Sequence, residues 1–533
     1  MNIIKSTILV LLLVASSVSC GATSASSESR EDGNAPELMG VDPQAIKKFV
    51  KELRAVPETD IHHVVIARKN SIIAEGDFGP FDKNEVHTLY SCSKTFTMLA
   101  IGMLIDDGKL RLTDKVVDLL PDKAPKRQSA SLKAMTVKHL LIMGAGIKPS
   151  LTLRQESDDW AKAWLAQPVT KLGKFQYDSM CTFMLSAIVQ RITGKKLLEF
   201  LNERFFYPLG IYEADWEESP DGINVGGWGL RLTAESMAKA GICIMNKGKW
   251  EGKQLVSSKW IDEASRKHIN YSNPGKKPTD TNQGYCYQMW RCLQPGAFRA
   301  DGAYGQFIVM VPDYELVVVI TGVSKNTGKE LACIWNYLIP GVKDIPAPVY
   351  DDKGRQLMKE MTRMDVSLHL KTLSLTRNDF DSVKMELGPN ARSYKTMTIE
   401  FWENNHGLRI DNGCRMKIVR TDGTIVEYPF MFGDWAKQTT TQAPPYNNAV
   451  GPIDLRVIKG LKGEYNTAGT CSWSDDNKLL LELYWTNWIV CNRFTIDFHD
   501  DGTATITNDE GYPGTDPENI NAIYTFYKHS KGE

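Results

Sequence analysis

Ser91 and Lys94 are the residues of this chain whose types and spacing most clearly suggest chemistry. Residues three positions apart on a helix share a face, so the lysine amine can reach the serine oxygen. A lysine in a poorly solvated site has a lowered pKa and can take a proton from that oxygen near neutral pH. The pair therefore predicts an activated serine nucleophile, with a serine and a lysine of no chemical role as the alternative interpretation.

The helix that would position this pair runs from Ser91 to about Asp106 and is apolar on nearly every side. Its apolar members are Phe96, Met98, Leu99, Ala100, Ile101, Met103, Leu104 and Ile105. Such a composition is typical of a fully buried helix. A charged lysine in the first turn of a buried helix needs an explanation, and activation of a nucleophile supplies one.

The Ser-x-x-Lys spacing is not specific by itself, because a second copy occurs at Ser236 and Lys239. That copy falls on an ordinary helix starting near Thr233, where we expect a solvated serine and lysine without a catalytic role. The surroundings of Ser91 must therefore distinguish the two copies.

Two later segments supply such surroundings. Tyr177 ends a loop just before an apolar-periodic helix, and a phenol near a lysine ammonium can exist partly as phenolate and relay a proton. Simple packing is the alternative role for this tyrosine. Residues 298–306 form a glycine-containing strand edge, which lets a substrate approach closely and can aim a main-chain N–H at an oxyanion.

Taken in order, these three segments resemble the serine β-lactamase-like family. The family includes class C β-lactamases, D-Ala-D-Ala peptidases, carboxylesterases and aminohexanoate-oligomer hydrolases. The resemblance spans roughly residues 45–345 and includes further stretches at 110–121, 135–147, 192–195, 207–211, 229–233 and 284–290. It implies an α/β fold with an antiparallel sheet flanked by helices.

The resemblance also implies roles for individual residues. Ser91 would be the nucleophile, Lys94 its base partner, and Tyr177 the tyrosine of the family's Tyr-x-Asn motif. The main-chain N–H groups of Ser91 and Ala303 would form the oxyanion hole. The implied reaction is acyl transfer from an ester or amide through an acyl-enzyme.

Two departures from the family motifs concern the substrate-binding residues. Ser179 stands where the family has the asparagine of Tyr-x-Asn, and Ala300, Asp301 and Gly302 stand where true β-lactamases have Lys-Thr-Gly. Asp301 would repel an anionic substrate and attract an amine, although a turn residue before a glycine is an equally simple interpretation. Both departures resemble the esterase and aminohexanoate hydrolase branch.

Composition agrees with a large soluble enzyme. The chain has 533 residues, of which 42% are hydrophobic, and a net charge of −1. This length favours more than one domain. The nearly balanced charge without a basic run gives no electrostatic basis for binding nucleic acid.

The N-terminus predicts export. Residues 1–20 have a lysine, a short apolar run and small residues, as in a signal peptide, and Cys20 resembles the lipidation cysteine of bacterial lipoproteins. Ser17 departs from the usual aliphatic residue at that position. Residues 21–40 would form a flexible tether, so we expect a lipid-anchored or periplasmic protein of the bacterial cell envelope, bound to membrane only through lipid.

Cysteine and histidine patterns argue against a metal site, and we expect no cofactor. The chain has ten cysteines but no Cys-x-x-Cys, so most should be buried free thiols, and a bridge between Cys471 and Cys491 stays open. His62 and His63 are adjacent in a predicted strand and would face opposite ways, which makes a poor metal site.

The C-terminal part has a different pattern. The domain resembling the serine hydrolases covers residues 41–345, a linker covers 346–366, and alternating apolar residues from 367 to 533 predict an all-β barrel or sandwich. Its aromatic residues would mostly fill a core, with a sugar or lipid platform as the alternative: Trp435, Trp473, Tyr484, Trp485 and Trp488.

Three functional interpretations follow. The first is a cell-envelope serine hydrolase acting on a small ester, a D-amino-acid peptide or a related amide. The second is a true β-lactamase or D-Ala-D-Ala carboxypeptidase. The third is a catalytically silent envelope lipoprotein that binds a peptide or glycan, a class favoured by the loss of Lys-Thr-Gly. The sequence leaves the physiological substrate and the oligomeric state open.

Overall fold

The computed structural model describes residues 36, 39–150, 153–271, 277–343, 381–405, 410–445, 459–475 and 477–528. The expected signal peptide, Cys20 and the linker at 346–366 lie outside the described residues. Within the described ranges, none of the helices is both long and apolar enough to cross a bilayer.

The N-terminal part is built on an antiparallel sheet with strand order β2-β1-β11-β10-β9-β8. Its strands are β1 (Thr59–Arg68), β2 (Ser71–Asp77), β8 (Trp290–Arg291), β9 (Phe298–Gly302), β10 (Gln306–Val311) and β11 (Leu316–Ser324). β10 is buried at every position, because helices cover both faces of the sheet. Smaller ladders join β3 (His87–Thr88), β5 (Leu230–Leu232) and β4 (Asp215–Trp216), and join β6 (Lys249–Trp250) to β7 (Lys253–Gln254).

The helices pack on the two faces of this sheet. In chain order they are α1 (Pro43–Arg54), α2 (Ser93–Asp106), α3 (Val116–Leu119), α4 (Ala130–Ala134), α5 (Val137–Leu141), α6 (Leu153–Glu156), α7 (Trp160–Leu165), α8 (Ser179–Thr193), α9 (Leu197–Leu201), α10 (Ala234–Met245), α11 (Ser258–Ser265) and α12 (Thr327–Cys333). Short 3₁₀ turns cover Tyr90–Cys92, Tyr207–Leu209, Asp280–Asn282, Pro312–Tyr314 and Ile339–Gly341, and π-helical turns cover Asn202–Phe206 and Ile334–Leu338.

Helix α2 is the buried helix that its composition predicts. Residues 93–104 are all buried, so the helix crosses the interior with no solvent-facing side until its last turn. The α-helix begins at Ser93 rather than at Ser91, because Ser91 lies in the preceding 3₁₀ turn. That turn holds Ser91 at the end of the buried helix, where the chain meets a cavity.

The C-terminal part is a β-barrel. Nine strands close into a ring through a parallel pair between β15 (Ile425–Phe432) and β17 (Tyr465–Asp475), and β16 (Ala436–Thr440) adds to an edge of β17. The other strands are β12 (Ser382–Leu387), β13 (Tyr394–Asn405), β14 (Ile410–Arg420), β18 (Lys478–Trp485), β19 (Cys491–Phe498), β20 (Thr503–Asp509) and β21 (Glu518–Tyr527). The predicted fold class is confirmed, and ring closure decides for the barrel over the sandwich.

Alternate residues of the barrel strands fill its interior. On β18, for example, Leu479, Leu481 and Leu483 are buried in the barrel core. Trp473, Trp485 and Trp488 are buried in the same core, which confirms the packing interpretation for these aromatic residues. The nine cysteines described are free and buried. Cys471 and Cys491, for which a bridge was left open, do not form one, because β18 separates their strands β17 and β19 and they lie in different apolar clusters.

The barrel packs directly on the N-terminal part. A buried ion pair between Arg231 and Asp215 lies at this contact. Asp215 also accepts the main-chain N–H of Lys462, and Arg231 donates to the Lys462 carbonyl. Nearby, the ring of Phe81 meets that of Tyr484 edge-on. The two parts therefore share polar and apolar contacts. Among the described residues, no group of three or more His, Cys, Asp or Glu side chains could hold a metal ion.

Candidate active site

The amine of Lys94 lies at the centre of a buried polar cluster. Its Nζ is 2.9 Å from Ser91 Oγ, 3.0 Å from Ser179 Oγ and 2.5 Å from the carbonyl oxygen of Gly227. The side chain of Lys94 is almost completely buried, with 1% of its surface exposed. The structure thus brings Ser91 and Lys94 together as the three-residue spacing predicts.

Burial changes the protonation of this amine. It lowers the pKa of Lys94 from 10.5 to about 7, and the nearby carboxylate of Asp178 opposes that change. A neutral amine has two N–H donors and one lone pair. The Gly227 carbonyl and the Ser179 hydroxyl can use the two donors, which leaves the lone pair for the Ser91 O–H. The geometry therefore allows the amine to take a proton from Ser91.

Tyr177 lies beside both groups. The Lys94 amine is 4.9 Å from the centre of the Tyr177 ring, and the ring stacks on Trp290 with centroids 5.6 Å apart. Burial raises the pKa of the Tyr177 hydroxyl above 10, and a hydrogen bond with Ser91 only partly opposes this. The expected phenolate is therefore disfavoured: Tyr177 is a neutral phenol that can exchange a proton through Ser91.

Asp178 is a site residue that the sequence reasoning missed. It caps helix α8, accepting the N–H of Met180 at 3.0 Å, and it accepts Trp164 Nε1–H at 2.9 Å. Its carboxylate is buried and favours the charged form of Lys94. An aspartate directly before a predicted helix is a recognisable N-cap signal, but its closeness to Lys94 depends on the tertiary fold.

The turn that carries Ala303 approaches the nucleophile through Gly302. A methyl group on Gly302 would lie 2.3 Å from the carbonyl oxygen of Leu89, two residues before Ser91. Only glycine lets strand β9 run this close to the 3₁₀ turn. Ser91 and Ala303 consequently line the same cavity.

Two bulky residues beside these positions have left-handed backbone conformations. Tyr90, before Ser91, has φ of +45°, and Tyr304, after Ala303, has φ of +66°. Such conformations cost about 1–3 kcal/mol each and persist only where the surrounding structure holds them. The Tyr90 turn is held by Ser93, whose hydroxyl donates to the Tyr90 carbonyl at 2.6 Å.

Asp301 is paired, which the sequence reasoning did not anticipate. Its carboxylate accepts Arg299 Nε–H at 2.9 Å and lies 2.7 Å from Arg299 NH2. Although burial opposes the charge, Asp301 raises the pKa of the Arg299 guanidinium above its ordinary range. Arg299 NH1 donates to the carbonyls of Asp280 and Arg291. The pair therefore presents compensated charges to the cavity, and the expected attraction for an amine is weaker than for a lone carboxylate.

The cavity above these groups has a volume of about 510 Å³. Aromatic residues form much of its wall: Tyr90, Tyr177, Trp228, Tyr271 and Trp290. Arg154 also lines it, with its guanidinium 4.7 Å from the centre of the Trp228 ring. A cleft of this size suits a small organic molecule or a short peptide segment.

The second Ser-x-x-Lys copy lacks such an arrangement. Ser236 Oγ donates to Glu213 at 2.6 Å, and Lys239 pairs with Glu235 on the surface at 2.9 Å. Ser236 is buried rather than solvated as expected, but its partner is a carboxylate and not a lysine.

Comparison with known proteins finds one matching family model and several similar proteins. The Beta-lactamase family model matches residues 48–338. The chain is 24% identical to the 6-aminohexanoate-dimer hydrolase of Paenarthrobacter ureafaciens over 318 residues, which cover 55% of this chain and 80% of the relative. It is 28% identical to penicillin-binding protein 4 of Amycolatopsis lactamdurans over 131 residues, covering 23% and 34% of the two chains. A solved octameric penicillin-binding protein homologue from Pyrococcus abyssi matches 90% of this chain and 100% of its own, at 14% identity and a TM-score of 0.46.

Proposed function

Since the chain belongs to the Beta-lactamase family, whose members are serine hydrolases, we propose that it is a cell-envelope hydrolase in which Ser91 forms an acyl-enzyme with a small ester or amide. The observation that carries the proposal is the 2.9 Å contact between Lys94 Nζ and Ser91 Oγ in a site that lowers the pKa of the amine to about 7. That combination makes the serine a nucleophile at neutral pH.

The reaction begins with attack of Ser91 Oγ on the substrate carbonyl carbon. The Oγ proton passes to the lone pair of Lys94 as the new C–O bond forms. The main-chain N–H groups of Ser91 and Ala303, both at the cavity, bind the oxyanion that develops. Preorganised donors of this kind contribute about 10²–10³ in rate apiece.

Collapse of the tetrahedral adduct expels the leaving group, which needs a proton. The neutral hydroxyl of Tyr177 gives up its proton to the departing oxygen or nitrogen and regains one from protonated Lys94 through the hydrogen-bonded cluster. Water then attacks the acyl carbon while Lys94 accepts the water proton, and Lys94 returns that proton to Ser91 Oγ as the bond between Oγ and the acyl carbon breaks and the acid is released. Ser179, bonded to Lys94, holds the amine in place during both steps.

The proposed substrates are neutral or amine-bearing esters and amides, such as D-amino-acid amides. Ala300 and Asp301 stand where a lysine and a threonine would bind the carboxylate of a β-lactam, and Arg299 is already bonded to Asp301. Losing one charge-assisted hydrogen bond costs about 1.5–3 kcal/mol, which lowers kcat/KM for a penicillin about 10- to 150-fold. The aromatic wall accommodates an uncharged group instead.

The proposed location rests on residues 1–20 and Cys20, with their signal-peptide and lipoprotein pattern. The intact mass of the protein purified from its native membrane tests it. A mature chain that begins at Cys20 and carries acyl chains supports the lipid anchor. A mass that matches cleavage elsewhere, without lipid, leaves a periplasmic or secreted enzyme.

Labelling with a fluorophosphonate probe tests the catalytic assignment. We expect one label per chain in the wild type, and no label in Ser91→Ala. Lys94→Ala and Tyr177→Phe should each lose most hydrolysis of a p-nitrophenyl ester while keeping the wild-type circular dichroism spectrum. Ser236→Ala is the matched control, because it removes the serine of the second Ser-x-x-Lys. We expect the probe to label this variant as fully as the wild type.

The substrate proposal needs a comparison of kcat/KM for three substrates: a short p-nitrophenyl ester, a D-amino-acid amide and a chromogenic cephalosporin. We expect the cephalosporin to be the poorest. Efficient cephalosporin hydrolysis that Asp301→Thr does not change would assign the chain to the β-lactamases instead. If the wild type is neither labelled by the probe nor active on any of these substrates, the interpretation as a catalytically silent binding protein remains.

A further inference from the structure

The loop that carries Ala303 lies against the C-terminal barrel. Strand β9 ends at Gly302 and β10 begins at Gln306, so Ala303, Tyr304 and Gly305 connect them. Ala303 and Tyr304 pack against the apolar cluster that fills the barrel, and the side chain of Tyr90 belongs to that cluster. Both proposed oxyanion donors therefore have a neighbour in sequence that packs on the barrel.

Three aromatic rings connect these neighbours to the barrel. The rings of Tyr90 and Tyr304 meet edge-on with centroids 5.4 Å apart, and the ring of Tyr304 meets that of Tyr512 at 5.7 Å. Tyr512 lies in the loop between β20 and β21 of the barrel. One barrel side chain thus contacts the residue that follows Ala303, and through it the residue that precedes Ser91.

Tyr512 is itself held firmly. Trp488 Nε1–H donates to its hydroxyl at 3.1 Å, and that hydroxyl donates to the carbonyl of Pro445 at 2.6 Å. Tyr512 and Trp488 are both buried, with exposures of 2% and 1%. A ring that is fixed at its hydroxyl end and packed in a core cannot yield when Tyr304 moves against it.

The N-terminal part also restrains the Ala303 loop, through hydrogen bonds to its main-chain carbonyl groups. Gln306 Nε2 donates to the carbonyl of Ala303 at 3.1 Å, and the N–H of Ser324 donates to the carbonyl of Tyr304 at 2.9 Å. These bonds restrain two carbonyl groups, whereas the ring of Tyr304 is supported by Tyr90 and Tyr512. Because Tyr304 has a left-handed backbone, loss of that support would let the loop relax and turn the Ala303 N–H.

We propose that Tyr512 is a positioning residue for the hydrolysis reaction, through which the barrel holds the oxyanion-binding loop 303–305 in its active conformation. The proposal rests on the proposed function, since it takes the Ala303 N–H as an oxyanion donor. It assigns the barrel a part in catalysis at a distance from the reacting atoms. The barrel is then needed for turnover even though, among the described residues, none of its side chains lines the active-site cavity.

The test is Tyr512→Ala in the full-length protein, assayed with a p-nitrophenyl ester. Complete loss of an oxyanion donor costs about 10²–10³ in kcat, so a misplaced donor should lower kcat by about tenfold or more. KM should change by less than about threefold, because the lost interaction forms only in the transition state. The affinity for a boronic acid, which forms a tetrahedral adduct with the serine, should fall by about the same factor as kcat.

Two matched variants separate positioning from general damage to the barrel. Tyr512→Phe keeps the ring that meets Tyr304 but loses the two hydroxyl bonds that fix it, so its kcat should lie between those of the wild type and Tyr512→Ala. Tyr524→Ala removes a barrel tyrosine whose ring packs on Phe498 and Phe526 instead, and should leave kcat and boronic acid affinity near wild type. If Tyr512→Ala does not fold by circular dichroism, Tyr512→Leu, which keeps apolar volume, takes its place in the same assays.

Wild-type kcat in Tyr512→Ala, an equal loss in Tyr524→Ala, or a loss confined to KM would each overturn the positioning role. These outcomes differ from failure of the proposed function. If wild-type Ser91 takes no fluorophosphonate, the hydrolase proposal fails. If wild type is labelled and Tyr512→Ala is labelled at the same rate, only the inference about the barrel fails.

Discussion

The protonation of Lys94 predicts how activity depends on pH. At pH 7 an amine with the ordinary pKa of 10.5 is neutral in about one molecule in 3,000, whereas a pKa of about 7 leaves about half of the molecules neutral. Burial therefore raises the fraction of competent base by about 10³. Since the base must be neutral, kcat/KM should fall as the pH drops through about 7 and approach a plateau above pH 8.

Asp178→Asn is the perturbation that tests this origin. The carboxylate of Asp178 favours the charged amine, so its removal should lower the pKa of Lys94 further. We expect the rising limb of the profile to move by about one pH unit toward lower pH. The asparagine can still accept the N–H of Met180 as the cap of α8, although Trp164 Nε1–H loses its acceptor, so thermal unfolding should be measured alongside.

The assay is hydrolysis of a p-nitrophenyl ester between pH 5.5 and 9, read at the isosbestic wavelength of the product. Glu235→Gln removes a surface carboxylate that pairs with Lys239 and should leave the midpoint unchanged. A flat wild-type profile, or a midpoint above pH 9, would refute the role of burial. A midpoint that moves to higher pH in Asp178→Asn would refute the electrostatic argument.

Three further predictions concern the support of the site and the stability of the fold. Gly302→Ala should lower kcat by about tenfold or more, because the new methyl group would meet the carbonyl of Leu89 at 2.3 Å and displace the loop that follows; kcat and circular dichroism check this. Asp215→Asn should cost about 3–5 kcal/mol in the free energy of unfolding by urea, because it leaves the buried charge of Arg231 without its carboxylate partner. The free energy of unfolding should also fall below about pH 6.5, because burial keeps three histidines neutral in the folded state whereas the unfolded chain protonates them. Each histidine should lower that free energy by about 1.4 kcal/mol at pH 5.5. The three are His62, His63 and His87.

Each of these predictions has a matched control. The methyl group added by Gly463→Ala would have no atom within 4 Å, so this substitution should leave kcat unchanged. Glu235→Gln breaks an exposed ion pair and should cost less than about 1 kcal/mol, in contrast to the buried pair. His499→Ala removes a surface histidine and should leave the acid transition in place, whereas His87→Leu should shift it to lower pH.

The predicted acid destabilisation has a defined pH window and is opposed by buried carboxyl groups. The pKa of His63 falls to about 4 and that of His87 to about 3, so the loss of stability continues from pH 6.5 down to that range. Burial raises the pKa of Asp77 to about 6 and that of Glu330 to about 8, so the folded forms of both carboxyls gain a proton as the pH falls and offset part of the loss. A urea midpoint that does not change between pH 7.5 and 5.5 would contradict the prediction.

Local features of this protein were predictable from sequence because short-range geometry determines them. Three-residue spacing places Ser91 and Lys94 on one helix face, and the apolar residues around them require that the helix be buried. The direction of the Lys94 pKa follows from that burial. The pairing of Arg299 with Asp301 was also accessible, because residues two apart on a strand share a face, although the sequence reasoning overlooked it.

Other features depend on contacts between distant segments, which no local pattern contains. Alternating apolar residues occur in barrels and sandwiches alike, so only the pairing of β15 with β17 decided for a barrel. The Gly227 carbonyl and Asp178 reach Lys94 from separate loops. Tyr512 meets Tyr304 only because the barrel packs on the N-terminal part. The sequence by itself determined which residues could react, whereas the packing of remote elements decided their protonation and orientation, because desolvation and backbone strain are properties of the assembled interior.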